Sequence, residues 1–166
     1  MIIMGIDPGI ATIGYGVIDY TAGHFSVIDY GAVTTKAGMK LSDRLRHIFE
    51  DINILIERFH PDAFAVEELF FNTNITTGIS VAHGRGVIML AAAVQNVPIY
   101  EYTPLQVKQS VAGYGRADKA QVQRMVKSLL SLSAVPKPDD TADALAIAIC
   151  HAYASGYQTL THQQGV

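Results

Sequence analysis

At 166 residues and 49% hydrophobic content the chain has room for one ordinary globular domain with a real core, while its net charge of −3 argues, as a sum, against a polyanion partner. A single cysteine, Cys150, excludes a disulfide framework and fits a reducing cytoplasm. No apolar run approaches the roughly 18 to 20 residues of a membrane span, and the N-terminus lacks the basic flank and cleavage site of a signal peptide, so a soluble cytoplasmic protein with no membrane partner is expected.

The first three elements read as strands: Ile2–Asp7, then 14–20, then His24–Thr34. Asp7-Pro8-Gly9 turns the first into the second and Thr21-Ala22-Gly23 the second into the third, which makes a meander. Leu41–Phe59 follows with apolar residues at Leu41, Leu45, Ile48, Phe49, Ile52, Leu55, Ile56 and Phe59, a helical period with Ser42 or Asp43 as an early cap and Pro61 as a stop. Ala63–Glu67 is a short buried strand, 76–95 a second long helix and 97–102 a fifth strand between prolines. Residues 105–112, 119–132 and 141–155 read as helices, with Cys150 a small core residue of the alanine-rich last one. Residues 1–156 therefore form one domain, and 157–166 a polar, flexible tail.

A meander followed by strand–helix–strand units predicts an α/β fold with a five-stranded mixed sheet and helices on both faces. The first and fourth strands lie adjacent at its centre. That order brings Asp7, at the end of one apolar run, beside Glu67, at the end of another. Asp140 and Asp143, three apart at a helix start, share one face and reach the same place. For either alone, helix capping is the plainer account; beside Asp7 and Glu67 it is not. Carboxylates so gathered repel unless a cation sits between them, which points to Mg²⁺ and a metal-dependent phosphodiesterase. Asp139 competes with Asp140 for the third place. Pro138 disfavours helix upstream, so Asp139 is expected as an N-cap, its carboxylate turned onto free amides.

Charge distribution qualifies the acidic sum. Between Lys108 and Lys137 lie Lys108, Arg116, Lys119, Arg124, Lys127 and Lys137, opposed only by Asp118. The six histidines show no zinc spacing. Arg85, between Gly84 and Gly86, reads equally as a solvated charge and as a contact to phosphate or to a partner subunit. The two glycines permit close helix approach and mark 76–95 as a candidate dimer surface.

Five stretches occur in order: Gly5-Ile6-Asp7-Pro8-Gly9 with Gly14-Tyr15-Gly16-Val17, Phe64-Ala65-Val66-Glu67-Glu68-Leu69-Phe70, Gln106-Val107-Lys108-Gln109, Lys119-Ala120-Gln121-Val122-Gln123, and Asp140-Thr141-Ala142-Asp143-Ala144-Leu145-Ala146. Together they resemble the bacterial RuvC family of Holliday junction resolvases. The resemblance implies a ribonuclease H-like fold, a homodimer, and Mg²⁺-dependent paired nicking of four-way junction DNA in recombination and repair, with RuvA and RuvB as partners. It implies two Mg²⁺ ions, replaceable by Mn²⁺, on Asp7, Glu67, Asp140 and Asp143, and a product with 5′-phosphate and 3′-hydroxyl ends. Some relatives carry histidine where this chain has Asp143, so the donor set here is all oxygen. The family's DNA-contacting lysines fall on Lys108 and Lys119, and its aromatic wedge on Phe70, leaving Phe71 as a core anchor. Glu68 alternates to the face away from Glu67. Actin-like ATPases share the Asp-Pro-Gly turn but need a second domain and phosphate loop, and a non-catalytic junction binder would need no acid cluster.

Overall fold

The computed structural model describes residues 1–69 and 75–163. β-branched and aromatic residues recur through Ile2–Asp7 (β1), Thr12–Thr21 (β2), His24–Thr34 (β3), Ala63–Glu67 (β4) and Ile99–Tyr102 (β5), and these strands pair in the order β3-β2-β1-β4-β5. β1 runs antiparallel to β2, and β2 to β3, whereas β1–β4 and β4–β5 are parallel. This is the mixed five-stranded sheet the strand pattern predicts.

Side-chain alternation sorts the core into two halves. Met4, Ile6, Phe64 and Val66 pack against α1 (Leu41–Phe59) and α2 (Ile75–Val94), through Ile48, Ile52, Ile56 and Ile88. Ile3, Ala63 and Ala65 face the opposite way, toward α3 (Pro104–Ala112), α4 (Lys119–Leu129) and α5 (Asp139–Gln163). Asp7 and Glu67 continue the second set, so both carboxylates face α5.

Helix α5 approaches the sheet backbone to backbone. A Cβ on Gly14 would lie 1.9 Å from the Asp140 carbonyl oxygen, and one on Gly5 would lie 2.2 Å from that of Ala144. The Thr141 hydroxyl donates to the Gly31 carbonyl at 3.2 Å, tying the same turn of helix to β3. Deeper along α5, Cys150 is buried with its Sγ 3.2 Å from the Ser110 hydroxyl, and burial holds its thiol above the usual range. His151 is likewise a buried core histidine, its Nδ1 2.7 Å from the Tyr102 hydroxyl.

Several boundaries differ from the periodicity. β2 starts at Thr12 because that residue already pairs with Thr34. β5 starts only at Ile99, after Pro98, whose carbonyl accepts the Phe64 N–H at 2.9 Å. Neither Ser42 nor Asp43 caps α1; extended Lys40 precedes it without a side-chain cap, and Asp43 lies in the first turn, where its charge suits the positive end of the helix. α4 ends at Leu129 rather than 132, because Ser131 turns left-handed at φ 51° and the Leu132 N–H closes back on the Lys127 carbonyl at 2.9 Å. This is a Schellman-type stop made without glycine. α5 begins at Asp139 and continues to Gln163, two residues earlier and eight later than the periodicity over 141–155. Among the described residues no helix is long and apolar enough to cross a membrane.

Candidate active site

Parallel pairing of β1 with β4 sets Ile6 opposite Val66, so Asp7 and Glu67 emerge side by side where the two strands end. The first turns of α5 lie above them, set there by the bare backbone of Gly14 and Gly5. A cavity of about 250 Å³ opens at this point, lined by Asp7, Glu67 and Asp143, by Lys108 of α3 and Lys119 of α4, and by a floor of Pro104, Val107, Val122 and Ala146. Asp140 does not line it, yet its charge acts on both Asp7 and Asp143.

Capping places the two lysines. Thr103 and Gln106 form a reciprocal capping box at the start of α3, and Asp118 and Gln121 form another at the start of α4. Lys108 therefore sits just beyond the first turn of α3, and Lys119 is the first residue of α4.

The electrostatics are those of crowded acids with too little countercharge. Burial, together with the charges of Asp143, Glu67 and Asp140, raises the Asp7 carboxyl to about 7. Burial and Asp143 also raise Glu67. Asp143 is raised by its burial even though Lys119 Nζ stands 2.9 Å from its Oδ2. Lys119, against the downward pull of its own burial, is held above the usual lysine range by that bond and by the charges of Asp143, Asp139 and Asp7. Among the described residues no three acidic, histidine or cysteine side chains close on a common point to hold a metal, and Lys119 stands among the acids instead. The donor set nonetheless fits a hard cation: every candidate ligand is a carboxylate oxygen, and a cation arriving among them offsets their mutual repulsion.

Asp139 corrects an expectation. It is the first residue of α5, not a cap, and its carboxylate is taken by Lys137 Nζ at 2.6 Å and Lys119 Nζ at 3.7 Å. The bond to Lys137 is the main reason its carboxyl lies below the usual range. Asp139 thus turns toward two lysines. The two glycines of α2 also separate: a Cβ on Gly84 would strike the Gly9 carbonyl oxygen at 2.6 Å, whereas Gly86 faces open space. Only Gly86 belongs to a candidate dimer surface. Phe70 and Phe71 lie outside the described residues.

Arg85 lies on α2 beside Gly86. Its Nε donates to the Glu67 backbone carbonyl at 3.0 Å and its guanidinium pairs with Glu101, so the side chain is turned into the protein. No local signal in the chain announces this contact; only the β4–β5 pairing, which sets Val66 against Glu101, brings its partners together.

A family model, that of the crossover junction endodeoxyribonuclease RuvC, matches residues 3–151. The chain belongs to the RuvC family. It is 64% identical over 151 residues to the crossover junction endodeoxyribonuclease RuvC of Ruminiclostridium cellulolyticum, covering 91% of each chain. The structure of Thermus thermophilus RuvC matches with a TM-score of 0.87 at 37% identity, covering 96% of this chain and 98% of that one. A second structure, of T. thermophilus RuvC in complex with a Holliday junction substrate, matches at 0.87 and 34% identity, covering 95% and 96%. The fold is accordingly the ribonuclease H-like fold of RuvC.

Proposed function

We propose that this RuvC-family protein is an endodeoxyribonuclease that resolves four-way DNA junctions by paired symmetric nicks, with its chemistry in the cavity between β1, β4 and α5. The observation that carries this reading is the meeting of Asp7 and Glu67 at adjacent parallel strand ends with Asp143, Lys108 and Lys119 around one opening.

Asp7, Glu67, Asp140 and Asp143 would hold Mg²⁺, two ions in this reading, with Mn²⁺ as a substitute. Mg²⁺ bound there supplies the charge that activates an attacking water and stabilises the leaving 3′-oxygen. The remaining parts belong to the chain. Lys108 and Lys119, on two helices at the rim, meet the phosphates of the incoming strand, and the Lys119 ammonium leaves Asp143 to do so. Val107, Val122 and Ala146 give the opening an apolar floor that limits loose water. Phe70 is proposed as the aromatic that stacks at the crossover, a contact worth roughly 1 to 3 kcal/mol.

One site cuts one strand, so the reading also requires a two-fold dimer. α2 offers a surface for it: Ile79 (51% exposed), Leu90 (53%) and Val94 (59%) lie in line with open Gly86, at spacings that keep them on one side of the helix. A cytoplasmic location, cooperation with RuvA and RuvB, and a single nuclease domain over residues 1–156 complete the proposal.

The test is cleavage, in Mg²⁺, of a preformed four-way junction against linear duplex, single-stranded DNA and an RNA–DNA hybrid. Symmetric nicks with 5′-phosphate ends on the junction alone are expected. Equal cutting of the hybrid or of linear duplex would overturn the substrate assignment.

A further inference from the structure

Glu67 ends a five-residue strand, and a carboxylate at a strand end is only as well placed as the backbone that carries it. On one side β4 is held by β1 as far as Val66, and on the other the Glu68 N–H donates to the Tyr102 carbonyl at 2.8 Å. The Glu67 carbonyl is reached from a third direction. Arg85 crosses from α2, donates its Nε to that oxygen at 3.0 Å and anchors its other end on Glu101 of β5. The Arg85 side chain is 14% exposed, whereas Glu101 is 44% exposed, so the guanidinium is sheltered and its carboxylate partner stands at the rim. A guanidinium is suited to this task, because its rigid fork fixes two acceptors at a set spacing, which an ammonium cannot do.

We infer that Arg85 is a positioning residue for the active site, clamping the end of β4 so that the Glu67 carboxylate is presented to the cation and the scissile phosphate. The inference rests on the reading of Glu67 as a metal-binding acid. It gives Arg85 a role inside the protein, in place of a phosphate or subunit contact. It also joins the site to α2, since Arg85 is the residue immediately before open Gly86 on the candidate pairing face.

The test compares Arg85→Ala, Arg85→Lys and Glu101→Gln with the parent protein and with Glu67→Gln. Four quantities are measured on each: single-turnover cleavage of a preformed junction, junction affinity in Ca²⁺, Mn²⁺ binding by calorimetry without DNA, and amide exchange at Glu68. Arg85→Ala is expected to lower the cleavage rate and weaken Mn²⁺ binding by about tenfold or more, as loss of an outer-shell support commonly does. Junction affinity should stay within about twofold, and Glu68 exchange should quicken. Arg85→Lys should fall between Arg85→Ala and the parent, and Glu101→Gln, which keeps the bond to the Glu67 carbonyl, should be the mildest. Because Arg85→Lys and Glu101→Gln retain a bonding partner in the same place, they test the idea even where Arg85→Ala folds poorly. Parent-like Mn²⁺ binding and cleavage in all three Arg85 and Glu101 variants would overturn the inference, as would losses in junction affinity matching those in rate. Full activity of Glu67→Gln would instead remove the metal-site reading itself, which separates the two failures.

Discussion

At the scale of single residues, Asp7 links stability to function most directly. Its carboxyl titrates at about 7 in the folded chain against 3.8 in an unfolded one. Below the lower value both forms are protonated and pH has no effect through this group. Between the two, the unfolded chain has released its proton and the folded chain has not, so rising pH destabilises the fold, and above about 7 the penalty is complete. In EDTA the melting temperature should therefore fall between about pH 4 and 7 through this group, in the same sense as through raised Glu67 and Asp143. Asp7→Asn should flatten that slope and melt higher than the parent protein at pH 8, while losing at least about a hundredfold in junction cleavage. A variant as pH-sensitive as the parent, or one that still cuts, would contradict the assignment. Asp139 and Asp140 separate by the same two measurements. Asp139→Asn removes solvent-exposed pairs to Lys137 and Lys119, so it should melt close to the parent and keep cleavage. Asp140→Asn should melt no lower than the parent and lose cleavage.

At the scale of elements, glycine placement decides how α5 and α2 are used. Gly14→Ala must push the Asp140 carbonyl away, and overpacking costs about 1 to 3 kcal/mol, so cleavage should drop steeply in whatever protein remains folded. Gly86→Ala meets nothing within 4 Å among the described residues and gains up to about 1 kcal/mol of helix propensity, so the isolated subunit should melt higher. A Gly14→Ala protein of parent-like melting temperature and activity would show that the close approach carries no weight. Much of this scale was legible in advance. Strand periods ending in Asp7 and Glu67, and the proline and glycine punctuation between elements, carry direct local signals. The stop of α4 does not, because Ser131 enters a conformation that glycine usually marks. Nor does the role of Asp139: a capping residue and a first-turn residue read alike until Lys119 and Lys137 are seen beside it. The Arg85 clamp needs a strand pairing that no local pattern contains.

At the scale of the whole molecule, resolution into two duplexes asks for two sites facing opposite strands, and the exposed line through Ile79, Gly86, Leu90 and Val94 is where a second copy would sit. Leu90→Glu should shift sedimentation toward monomer and reduce paired nicking to single nicks, leaving the melting temperature of the subunit nearly unchanged because that side chain is about half exposed. Unchanged sedimentation would move the interface elsewhere. The packing of α5 on β1 and β2 also bears on the protein's synthesis. The first proposed acid lies on the first strand and the last on the final helix, and the glycines that admit that helix leave bare backbone on the sheet until it arrives. A chain leaving the ribosome N-terminus first, at about 5 to 20 residues per second, therefore displays Asp7 and Glu67 well before Asp140 and Asp143. Contacts this distant in sequence form late. A DNA-cutting enzyme assembled in that order gathers its proposed acids only once α5 has emerged and packed.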